Sequence, residues 1–193
     1  MGAVHFSGPI TSKTGVVVAP NPVITVGVDQ IAGTPATTFP SYYSTAVTDG
    51  TDTATTATSR RWVRVFVPHN CTLTGIGITN GTAVGTDKVI VELKDSAGVH
   101  LANSATAGTT CTGTGAVQKV PFTATLDVAG PAYYYIATTY NGTTATYRSI
   151  PATATMAANT QITGTVASVF GTMANITPGT TFTADLGPIA FTY

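Results

Sequence analysis

Forty-one threonines, twenty valines and eleven isoleucines stand against five leucines and a single glutamate in this chain of 193 residues. β-Branched side chains keep few χ1 rotamers in a helix but pack well on a pleated surface, so a chain built from them is committed to strands. With Leu, Glu and Lys so scarce, a helical bundle would lack both its core residues and its solvated face. The length suffices for one self-sufficient β domain with an added arm.

Only 8% of the residues are charged, and eight basic side chains balance eight acidic ones to a net charge of zero. That leaves no basic field of the kind nucleic acids require, so no nucleic-acid partner is expected. The opening MGAVHFSGPITSK has no basic stretch followed by an apolar run, and runs such as Val63 to Pro68 fall far short of the roughly 20 residues of a membrane span. The expectation is a soluble protein used without export and without a membrane partner. Cys71 and Cys111 lack metal or redox spacing and are expected to remain free thiols.

Residues 1–40 carry five prolines between short apolar pieces, a density that prevents regular interior strands. They read as an extended N-terminal arm that anchors the protein or pairs with a sheet edge, and residues 41–193 as the domain. A polar loop is expected from Thr45 to Ser59, with the compact part starting near Arg60. Strand and turn signals then alternate as in an antiparallel β-sandwich. Val63, Val65 and Val67 fall on one face of a strand at 61–67, with Trp62, Arg64 and Phe66 on the other, which needs cover from the arm, a loop or another subunit.

An apolar phase change from Cys71 and Leu73 to Ile76 and Ile78 places a β-bulge at Gly75. Val89, Val91 and Leu93 are expected inward, paired with Val99 and Leu101 by matching 93 to 99 and 91 to 101, with His100 outward. Val120, Phe122, Ala124, Leu126 and Val128 form a strict alternation. Asn141-Gly142 predicts a two-residue type I′ hairpin that sets Ile136 against Tyr147 and Tyr135 against Arg148. The one short helix is expected at Ala152 to Gln161, and strands return at Gly164 to Phe170 and Thr181 to Tyr193.

The stock of catalytic groups is thin. Glu92 and Asp95 lie on one hairpin and read as a solvated face rather than a glycosidase pair; His5, His69 and His100 share no ligand spacing. Phosphate-binding and nucleophile-elbow motifs are absent. Asp49-Gly50-Thr51-Asp52 reads first as an exposed turn and lacks the ligand ladder of an EF-hand. No catalytic residue, metal or cofactor is therefore assigned, and no enzyme is expected. Tyr133, Tyr134, Tyr135, Tyr140 and Tyr147 suit either sugar stacking or a division between core and subunit interface. Phe6, Trp62, Arg64, Phe66, Tyr135 and Arg148 are the candidate interface residues.

His5-Phe6-Ser7-Gly8-Pro9, the hairpin from Val91 to Gly98, the strand Ala132 to Ala137 leading into Asn141-Gly142-Thr143, and Asp185-Leu186-Gly187-Pro188 together resemble virion structural proteins of tailed bacteriophages, of the capsid decoration or head-fibre type. The hairpin and tyrosine segments also resemble sugar-binding β-sandwich modules. The phage resemblance implies a jelly-roll-like sandwich, usually trimeric, assembled in the host cytoplasm and fixed by a terminal arm to the major capsid protein or another virion protein. It carries over no catalytic residue.

Overall fold

The computed structural model describes residues 39–40, 50–151 and 162–193, and the chain divides into two units, 1–38 and 39–193. The expected arm up to residue 38 and the expected helix at 152–161 lie outside the described residues. The described chain is all-β. Its strands are β1 (Phe39–Pro40), β2 (Thr51–Ala54), β3 (Ser59–Val67), β4 (Cys71–Thr79), β5 (Lys88–Lys94), β6 (His100–Asn103), β7 (Thr109–Thr110), β8 (Val117–Val128), β9 (Ala132–Tyr140), β10 (Thr146–Ser149), β11 (Thr163–Ala167) and β12 (Ala190–Thr192). Every pairing is antiparallel.

Two sheets make the sandwich. One runs β11-β3-β9-β5-β6 with β7 also on β5, the other β1-β12-β4-β8, and β10 with β2 forms a separate ribbon. The alternation that places Val63, Val65 and Val67 on one face of β3 buries all three, together with Val89, Val91 and Leu93 of β5. They meet Leu73, Ile76 and Ile78 of β4 and Val120, Phe122 and Val128 of β8 in a single core cluster. Cys111 is buried in that core, and burial, reinforced by Asp87, pushes its thiol up to about 11. Cys71 is partly buried, and both thiols are free.

Several local expectations need correction. The segment read as a loop from Thr45 to Ser59 contains β2, which pairs with β10. The predicted irregularity falls between Leu73 and Gly75, but the extra residues belong to β8: Leu73 faces Leu126 while Gly75 faces Pro121. The slack leaves Ala124 exposed and Leu126 only partly buried, which breaks the strict alternation expected there. Val99 and Leu101 are 43% and 38% exposed rather than inward. Lys94 pairs with His100 across a turn in which Asp95 Oδ1 accepts the N–H groups of Ala97 and Val99, and a register shift then matches Leu93 to Ala102. Leu101 is the residue displaced by that shift. The two expected later strands shorten to β11 and β12.

The Asn141-Gly142 hairpin does not form. β9 is a central strand with both edges taken, by β3 and β5, so Tyr135 faces Arg64 and Lys94 while Arg148 faces Asp52 across the ribbon. Asp87 is the cause. Its carboxylate accepts the N–H groups of Thr144 and Ala145 and the hydroxyls of Thr144 and Thr55, drawing the chain away from β9. Asn141 Oδ1 meanwhile accepts the Lys88 N–H at 2.6 Å. Gly142 is outside the left-handed region that a type I′ turn demands, and it is glycine because a Cβ would lie 2.1 Å from Asp87 Oδ1.

Burial alone would raise the Asp87 pKa, but the bonds from Ala145, Thr144 and Thr55 outweigh it and hold the carboxyl below the usual aspartate range. A carboxyl depressed in the folded state adds stability above its unfolded value, about pH 4, and loses it as pH falls through the folded value. Asp87→Asn turns an amide N–H₂ toward existing donors. It should cost about 1–3 kcal/mol in urea unfolding at neutral pH and flatten the loss of stability in acid.

Candidate interaction surface

The second face of the six-stranded sheet carries Arg60, Trp62, Arg64 and Phe66 from β3, Tyr133, Tyr135 and Ala137 from β9, and Glu92 and Lys94 from β5. Glu92, expected on a solvated face, is fully buried, as are Arg60 and Lys94. Its Oε1 accepts Arg60 Nε at 2.5 Å and its Oε2 accepts Lys94 Nζ at 2.7 Å. His100, expected outward, places Nδ1 3.4 Å from Glu92 Oε2.

The chain beyond β11 covers these charges. Arg60 Nη2 donates to the carbonyl of Thr172, Lys94 Nζ to that of Ala174, and the His100 N–H to Asn175 Oδ1. The Ile176 N–H donates to Gly98 O. Gly98 has φ +83° and would set a Cβ 2.3 Å from Ile176 O, so the strap crosses there only over glycine. Burial pushes the Lys94 ammonium below its ordinary value, and the neighbouring Glu92 carboxylate opposes that push.

Ile176 closes over Trp62, Tyr135 and Ala137 in a second apolar cluster, with Ile162 at its margin. Trp62 and Tyr135 meet edge to face at 5.3 Å and are 4% and 5% exposed, so the cover needed by this face comes largely from the chain itself. The strap leaves the last row open. Phe66 and Tyr133 are 46% and 47% exposed, their rings 5.1 Å apart, and the Arg64 guanidinium stands 4.4 Å above the Tyr133 ring. Arg64 and Phe66, of the six candidate interface residues, join Tyr133 in this patch. Trp62 and Tyr135 lie beneath the strap, Arg148 is on the ribbon with Nη1 on Gly50 O, and Phe6 is outside the described residues. Tyr133, one of the five tyrosines expected to divide between core and interface, pairs with Phe66 in the register of β3 and β9.

The tyrosines do not form a platform. Tyr134, Tyr135, Tyr140 and Tyr147 are buried, leaving Tyr133 as the exposed member of the five. Burial drives the Tyr147 hydroxyl up to about 12 despite the Arg61 guanidinium beside it. Two further carboxylates are held in local bonds: Asp52 takes the N–H of Thr82, and Asp95 caps its turn. Asp49 lies outside the described residues. Among the described residues no group of three or more His, Cys, Asp or Glu side chains is placed to hold a metal ion.

No protein-family model matches the chain, and a comparison with curated proteins found no match.

Removing one partner of a buried charge network leaves the others desolvated and unpaired, at about 3–5 kcal/mol. Glu92→Ala should cost that much in chemical unfolding and loosen the strap, seen as faster amide exchange at Ile176. Phe66→Ser, at an exposed position, should change stability by less than about 0.5 kcal/mol.

Proposed function

We propose that the protein is a non-enzymatic structural component of a virus particle. In this reading it is a capsid decoration protein that binds the major capsid protein lattice through residues 1–40 and stabilises the shell as a homotrimer. The observation that carries the reading is the division of labour on the second sheet face. Glu92, Arg60 and Lys94 are consumed inside as fasteners for the strap, whereas the Phe66 and Tyr133 rings are exposed, with the Arg64 guanidinium stacked on Tyr133. Aromatic side chains and arginine dominate protein–protein contacts because they remove much apolar area from water at low entropic cost. The Glu92 and Asp87 carboxylates are tied into buried structural bonds, which favours assembly over turnover for these two groups.

Three-fold closure would bring the Arg64–Phe66–Tyr133 patches of like subunits together without leaving an open end. Three copies of residues 1–40 on one trimer would hold the lattice with an avidity beyond that of a single copy. Among the described residues, a sugar-binding role, as in a tail or fibre component, has the Tyr133 and Phe66 rings as its exposed aromatic surface.

The test joins light scattering, co-sedimentation with capsids and a glycan array. The full chain should run as a trimer and sediment with capsids. Phe66→Ser with Tyr133→Ser should give monomers, and deletion of residues 1–38 should preserve the trimer but abolish capsid occupancy. A monomeric wild-type chain, or full occupancy without residues 1–38, overturns the corresponding part of the proposal. Glycan binding lost with Tyr133→Ser would favour the receptor reading.

A further inference from the structure

Two Asn-Gly-Thr tripeptides, at 80–82 and 141–143, share one local sequence but occupy opposite environments. An asparagine followed by glycine is open to attack on its side-chain carbonyl by the next backbone nitrogen, since glycine has no Cβ to obstruct ring closure. The environment decides whether that attack can happen.

Asn80 is fully buried, and its Nδ2 donates to Thr112 O at 2.6 Å and to Gln118 Oε1 at 2.9 Å. The nitrogen that would attack is also engaged, because the Gly81 N–H donates to Thr146 O at 2.8 Å. Asn141 is exposed, and among the described residues the Gly142 N–H donates to nothing. The Asn141 side-chain carbonyl is held in place instead. Its Oδ1 accepts the Lys88 N–H at 2.6 Å, while its own N–H donates to Lys88 O at 3.1 Å.

The geometry points to Asn141 as a self-modifying site that cyclises to a succinimide and opens to aspartate or isoaspartate, while Asn80 is inert in the folded protein. The Gly142 nitrogen gives its proton to hydroxide or water and bonds to Asn141 Cγ. The carbonyl electron pair moves onto Oδ1, where the Lys88 N–H is already aimed, as a backbone donor is in an oxyanion hole. Collapse of this intermediate expels Nδ2, which leaves as ammonia after taking a proton from water. A second water then adds to either ring carbonyl and opens the ring. The net change is asparagine plus water to an aspartyl residue plus ammonia, with no oxidant or reductant.

The product matters locally. Isoaspartate lengthens the main chain by one methylene where Gly142 lies against Asp87 and its carbonyl accepts Thr55 Oγ1 at 2.9 Å. Either product adds a negative charge beside Asp87 in a chain of net charge zero.

The experiment incubates the purified full chain in mildly alkaline buffer made with heavy-oxygen water and maps label uptake by peptide mass spectrometry. Folded protein should incorporate label at Asn141 at least about tenfold faster than at Asn80, and in concentrated urea the two rates should converge, since their tripeptides are the same. Asn141→Gln, which would have to close a larger ring, should remove the extra acidic species on ion exchange. Equal rates in the folded protein, or no label at Asn141 while urea-unfolded chains react, would overturn the inference.

Discussion

Glu92 offers one carboxylate to two buried cations, and what the second sheet face presents to its surroundings depends on that arrangement. Arg60 and Lys94 could not remain dry without it, and each has a further donor that Glu92 cannot satisfy. Those donors reach the carbonyls of Thr172 and Ala174, so the buried charge cluster also anchors an irregular segment. An apolar face alone would hold that segment without specifying its path. The hydrogen bonds set its position, and Ile176 then fills the hollow above Trp62 and Tyr135.

The uneven legibility of the sequence follows from the range of the interactions involved. Val63, Val65 and Val67 announce their face because strand alternation is local, and the phase change at Gly75 marks a real register break. Asn141-Gly142 misleads because the residue that overrides it, Asp87, is far away in sequence and acts on Thr144 and Ala145, where no turn statistic records it. Leu101 fails for a related reason: a single-residue shift on β6 reverses the parity that the pattern of β5 implies.

The candidate surface was half legible. Arg64 and Phe66 could be read as outward-facing on a strand with two apolar faces, but their neighbours Trp62 and Tyr135 have the same pattern and are covered. Nothing in residues 168–176 advertises a strap, since its fastening uses backbone carbonyls that every residue possesses. Glu92 was misjudged because a lone carboxylate on a strand reads as solvated until Arg60, 32 residues earlier, is placed against it.

The place of β12 carries a consequence for how the molecule is made. This strand, residues 190–192, sits inside its sheet between β1 and β4, and Tyr193 exchanges backbone bonds with Gly75. A ribosome releases β4 more than a hundred residues before the strand that must lie beside it. Until then the edge of β4 is a row of unpaired donors and acceptors flanked by Ile76 and Ile78, open to pairing with any neighbouring nascent chain. The second sheet therefore closes only after residue 192 has left the exit tunnel. Slow synthesis between β4 and residue 192, or crowding on a polysome, prolongs the exposure of that edge.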